Sequence, residues 1–190
     1  KKKLTVDQHK EVQEAANSNY VDMKARFSTM SVLNQAPLTM GLIVICGLLY
    51  LLSMTGARHY LQSLLMYSLY EFPGGLKPFL EIKQGEVWRL FTPILLHGGF
   101  LHLLFNLFWL YQIGPPVEKQ AGAWYYVFLI ISIAVFSNTL YYLVAGPSFL
   151  GLSGVVYGLC GFIWAYGQIN PFAKIYIDPQ TIKFLTFWYV

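Results

Sequence analysis

Residues 123–168 read AWYYVFLIISIAVFSNTLYYLVAGPSFLGLSGVVYGLCGFIWAYGQ and hold no charged side chain. The charge-free run is longer still, from Gln120 to Ala173. A bilayer core of about 30 Å is crossed by roughly 20 helical residues, so this run has room for two crossings. The AGPSF segment supplies the break between them, because proline lacks an N–H and clashes with the preceding turn. Charge-free runs from Leu90 to Val117 and from Phe27 to Ala57 have room for one crossing each. None alternates apolar and polar residues with the period of two that a barrel strand in lipid needs. The sequence reads as an all-α polytopic membrane protein.

Composition agrees. The 190-residue chain is 56% hydrophobic and 12% charged, where soluble domains run near 45–50% apolar and about 25% charged. The runs predict spans at Leu38–Met54, from about Pro93 or Gly98 to Ile113, at Trp124–Val144 and at Ser153–Gln168. A fifth opens near Gln180. The Gly-Pro-Pro of GPPVEKQAG is expected to end the second span. Thr55–Arg89, rich in Leu, Tyr and Phe with scattered charges, is expected to form short helices lying in the membrane interface. Residues 1–36 read as a polar tail or linker with one short helix around Val6–Ala16. Their lysines favour a cytoplasmic N-terminus. Cys46 and Cys160 fall inside spans and read as small packing residues. The chain opens on Lys1 without an initiator Met, and TIKFLTFWYV stops about half a crossing into a span. A piece shortened at both ends, holding about four and a half spans, is the expectation.

Two constellations carry chemistry. In HGGFLHLLFNLFW, residues 97–109, His102 and Asn106 stand four apart and share one face of the second span. Hydrogen-bonding side chains inside a membrane cost free energy unless paired. The pair is read either as a site in the bundle interior or as polar glue between helices. His97 reads as an anchor for the loop before them. The second constellation is GLSG, residues 151–154, at the start of the fourth span. Helix-initial N–H groups lack intrahelical partners and carry partial positive charge. Ser153 could serve there as a plain N-cap, yet a cap needs neither Gly151 nor Gly154. Those glycines suit a sharp bend and close approach to the serine.

Gly154, Gly158, Gly161 and Ala165 then form a small-residue ridge at helical spacing, fit for close helix packing. Tyr157 lies one turn below Ser153, either as a buttress for whatever packs there or as bundle filling. Together the pieces suit acyl transfer: a serine nucleophile, with His102, Asn106 and free N–H groups as oxyanion donors. No Asp or Glu lies in the spans, so no metal site is expected. Nor is any cofactor, and nothing points to nucleic acid. A transporter would need coordinating groups at mid-membrane in paired repeats, and none is present.

EVWRLFTP, HGGFLHLLFNLFWLYQIGPPVEKQAG and GPSFLGLSGVVYGLCGF resemble the bacterial rhomboid intramembrane serine proteases, over residues from about 37 to 190. The resemblance implies a rhomboid-like bundle with a six-span core, cutting transmembrane segments of membrane proteins in the bacterial inner membrane. It implies Ser153 as nucleophile and His102 and Asn106 as oxyanion stabilisers. Trp88 and Arg89 would belong to the interfacial first loop. Glu118 would be a structural hydrogen-bonding residue, and Tyr157 would stack beneath the general base. That base is a histidine on the sixth span, and no histidine follows Ser153 here. The alternative is a pseudoprotease that binds transmembrane helices without cutting them. On the first reading the glycine ridge should receive the sixth span, and within residues 1–190 it should face an empty groove, lipid or another chain.

Overall fold

The computed structural model of the chain describes residues 36–69 and 79–170, together with 175, 177, 178, 180, 181 and 183. The helix expected around Val6–Ala16 lies outside them. Among the described residues there are helices and turns but no strand. Helix α1 spans Pro37–Leu52, and a π-turn, Ser53–Ala57, joins it to α2, Arg58–Leu65. A short α3, Leu80–Lys83, precedes two 3-10 turns, Val87–Leu90 and Thr92–Leu95. Three long helices follow: α4, Phe100–Ala121; α5, Ala123–Ala145; and α6, Ser153–Ile169.

The four long helices stand in the four predicted runs. Pro37 occupies the first turn of α1, where its missing N–H costs nothing. The elbow after α1 turns on Gly56, whose φ of 93° would strain any side chain. At the far end, residues 180, 181 and 183 are helical as expected. Asp178 starts that helix: its carboxylate accepts from the amides of Gln180 (2.9 Å) and Thr181 (3.0 Å) and from the Thr181 hydroxyl. The Asp-Pro-Gln-Thr spacing carries that cap in the sequence.

Helix α4 is the centre of the bundle and packs against α1, α5 and α6. Its Leu110, Ile113 and Val117 meet Ile130 and Ala134 of α5 and Val155, Leu159 and Ile163 of α6 in one buried cluster. The outward faces are apolar as well: Leu48, Phe128, Phe136 and Trp164 are exposed. Pro37–Leu65 and Ala123–Ala145 are long and apolar enough to cross a membrane, with mean hydropathy 2.1 and 2.0. Only 11% and 22% of their most apolar windows is buried inside the chain. A soluble core helix would be mostly covered, so these outward faces suit lipid.

Gly-Pro-Pro does not end the second span. Helix α4 runs through Pro115 and Pro116 to Ala121. The prolines remove two backbone donors, but the turn beyond them is held from outside. The buried Glu118 carboxylate accepts from the amides of Leu38 (2.9 Å) and Thr39 (2.8 Å) and from the Thr39 hydroxyl (2.7 Å). The same hydroxyl, its one proton given to Glu118, accepts from the Tyr126 hydroxyl of α5 at 2.9 Å. Gly114 permits the approach, since a Cβ there would lie 2.6 Å from the Thr39 methyl. Three elements are thereby tied at one end of the bundle.

Candidate active site

Helix α4 begins after Gly98-Gly99, which puts His102 in its first turn and Asn106 one turn deeper. His102 is exposed at the helix edge and Asn106 is 5% exposed. The chain returns to this point after α5. Gly151, with φ of 125°, donates its amide to the Pro93 carbonyl at 3.0 Å. A Cβ on Gly151 would stand 2.5 Å from His102 Cε1, 2.7 Å from His102 Nε2 and 3.7 Å from Asn106 Nδ2. Glycine is therefore required twice, for the backbone angle and for the space.

Ser153 is the first residue of α6, and it is not the cap. The N-cap position belongs to Leu152, with no side-chain capping bond. The Leu152 carbonyl accepts from the amides of Val155 (2.9 Å) and Val156 (3.0 Å). Among the described residues no hydrogen bond is found for the Ser153 hydroxyl, nor for the amides of Ser153 and Gly154. Asn106 Nδ2 is buried and also has no partner among them. The structure brings His102, Asn106 and the Gly151–Ser153 turn together, and leaves donors there unspent.

Residues 84–190, more than half the chain, match the Rhomboid domain. The chain belongs to the rhomboid family. It is 33% identical over 168 residues to the Rhomboid protease GlpG of Salmonella choleraesuis (strain SC-B67), covering 87% of this chain and 57% of that protein. The Rhomboid protease GlpG of Salmonella newport (strain SL254) is 39% identical over 113 residues, covering 60% of this chain and 41% of its own length. The same figures hold for the Rhomboid protease GlpG of Salmonella heidelberg (strain SL476). This rhomboid chain spans about half the length of the curated relatives it matches.

Trp88 and Arg89 work on α2. A helix leaves its last carbonyls without partners, and here four successive carbonyls at the end of α2 are each met. Ser63 and Met66 accept from the two terminal nitrogens of Arg89, both at 2.7 Å. Leu64 accepts from the Trp88 indole at 3.1 Å, and Leu65 from the Thr92 hydroxyl at 2.9 Å. Glu86 holds the buried guanidinium from the third side. Thr92 and Glu86 escaped the sequence reading, although both stand inside EVWRLFTP.

His97 sits in the loop before α4, 7% exposed, edge-on to His102 with ring centroids 5.3 Å apart. Burial, reinforced by the neighbouring His102, pulls its pKa down to about 4, and only the Leu95 carbonyl opposes this. His97 is a neutral ring at ordinary pH.

The glycine ridge needs a correction. Gly154 and Gly158 do not face an empty groove: they receive α5. A Cβ on Gly154 would stand 2.5 Å from Ser137 Oγ, and one on Gly158 would run into the Ile133 side chain. Of the three ridge glycines, only Gly161 has nothing within 4 Å of its Cβ position among the described residues. Tyr157, half-buried, lies between these faces. Gly158→Val should therefore destabilise the α5–α6 contact by about 1–3 kcal/mol through overpacking. Gly161→Val should leave stability within about 0.5 kcal/mol. Denaturation of the two variants of residues 1–190 in detergent compares them, and equal losses would dissolve the distinction.

Proposed function

We propose that this chain is the greater part of the core of an intramembrane serine endopeptidase acting on transmembrane segments of other membrane proteins. One observation carries the reading: a buried Asn106 Nδ2 and the His102 ring meet at the turn leading into Ser153, and among the described residues neither that nitrogen nor the Ser153 hydroxyl and amide has a hydrogen-bond partner. Ser153 Oγ attacks the carbonyl carbon of the scissile peptide, and its proton passes to a histidine base. The oxygen that becomes negative is met by His102, by Asn106 and by the N–H groups at the start of α6. The base then protonates the leaving amine, and water releases the acyl group by the reverse proton path. No histidine lies between Ser153 and Val190, so the base is assigned to sequence outside residues 1–190. That same observation supports the second reading, a rhomboid pseudoprotease that holds transmembrane helices without cutting them.

The two readings separate in the full-length protein. Ser153→Ala should abolish cleavage of a single-span substrate and labelling by a serine-directed phosphonate, with substrate binding retained. Asn106→Ala should lower kcat by about 10²–10³ with little change in KM, as expected of a donor used in the transition state. Full-length protein that binds the substrate but never reacts with the phosphonate would establish the pseudoprotease.

The setting is proposed as the bacterial inner membrane, with residues 1–36 a cytoplasmic tail and residues 37–190 the membrane domain. The excess of lysine before α1 supports the orientation. Ser18→Cys should then react with impermeant maleimide from the cytoplasmic side and Ser63→Cys from the opposite side, and labelling of both from one side would overturn the topology.

A further inference from the structure

His97 has a second neighbour besides His102. Both of its ring nitrogens are buried without a hydrogen-bond partner among the described residues, an arrangement that costs free energy unless something polar reaches them. The ring forms part of the wall of a cavity of about 10 Å³ in the angle of the α1–α2 elbow. Ser53, Arg58 and Gln62 contribute polar groups to that wall, beside Leu61 and Leu150. The Ser53 hydroxyl donates to the Tyr50 carbonyl at 2.6 Å, so its lone pairs remain open to a donor. The Gln62 side chain makes no hydrogen bond among the described residues. Arg58 donates to the Gly98 carbonyl at 3.4 Å.

These dimensions and this lining select the ligand. A cavity of about 10–15 Å³ takes one water molecule, and a buried water typically makes about three hydrogen bonds. An apolar pocket of that size would stay dry, but this one offers an imidazole nitrogen, a hydroxyl oxygen and an amide. We propose that the elbow cavity binds a single structural water through His97, Ser53 and Gln62, and that this water fixes the His97 ring edge-on against His102. His97 is then a positioning residue for His102, a role that rests on the oxyanion function proposed for His102. The water site itself does not depend on that function. The neutral state of His97 leaves one ring nitrogen able to accept from the water, while the other carries the ring proton.

Three measurements on the full-length protein test this. A high-resolution crystal structure should show an ordered water about 3 Å from a His97 ring nitrogen and from Ser53 Oγ or the Gln62 amide. Gln62→Leu and His97→Phe should each lower Tm, and the double variant should lose no more than the larger single loss, because both remove one bridge. Should Gln62→Leu fail to fold, Ser53→Ala takes its place in the cycle. In ¹⁵N-histidine-labelled protein, Gln62→Leu should shift or broaden the His102 ring signals although residue 62 does not touch that ring. His97 nitrogens bonded directly to protein, or additive losses in Tm, would overturn the water site. An unmoved His102 spectrum would overturn the positioning role alone. Failure of wild-type protein to react with the phosphonate would instead remove the protease reading and leave the water site standing.

Discussion

Gly151→Ala in the full-length protein should reduce substrate turnover by about 10²-fold or more, with helix content unchanged. Two separate costs meet at that residue. Its φ of 125° is one that side chains rarely adopt, and its Cβ would sit 2.5 Å from the His102 ring. Something must shift, and both candidates belong to the site: the His102 ring, or the turn that delivers Ser153. A displacement near 1 Å at reacting groups costs about 10²-fold. Single-turnover cleavage reads the chemical step, and thermal unfolding checks that the bundle survives. Turnover within a few-fold of wild type would mean that the His102–Gly151 contact does not set the geometry of the reaction.

Glu118→Ala should cost about 3 kcal/mol or more in stability. It strips the acceptor from the Leu38 amide, the Thr39 amide and the Thr39 hydroxyl together. A buried donor left without a partner costs about 1–3 kcal/mol, and water is scarce among apolar helices. The loss should fall on the α1–α4 junction, so residues near Pro37 should become accessible to labelling before α5 and α6 separate. Glu118→Gln keeps one acceptor oxygen and should lose less. Equal stability of Glu118→Ala and wild type, by unfolding in mixed micelles, would show that apolar packing alone holds α1.

Much of this architecture was legible in the residues. The ends of α5 fall within a residue of the predicted Trp124–Val144, because lipid demands a continuous apolar run and glycine closes it on either side. Ser153, His102 and Asn106 stood out as candidates because polar groups in a charge-free span have few uses. What could not be read is long-range. The double proline is a local penalty, and its outcome was decided by a carboxylate bonding to residues 79 and 80 positions away. The glycine ridge announces a close neighbour without saying which one. Ile133 and Ser137 fill two of its positions, while no described residue meets Gly161. The clasp on α2 joins residues 23 to 27 positions apart, and no periodicity marks it.

The start of α6 has a consequence for where a substrate would be cut. Its 17 residues reach about 25 Å, less than the roughly 30 Å of a bilayer core. Were Ile169 placed at one surface, Ser153 would lie about 5 Å beneath the other. The missing height is made up by the irregular stretch from Gly146 to Leu152, backbone that lipid tolerates only where protein covers it. On the proposed protease reading, a helix that begins late would act as a depth gauge. The bond selected would be fixed by distance from the membrane surface as much as by side chains, and acyl-chain length would become a determinant of specificity.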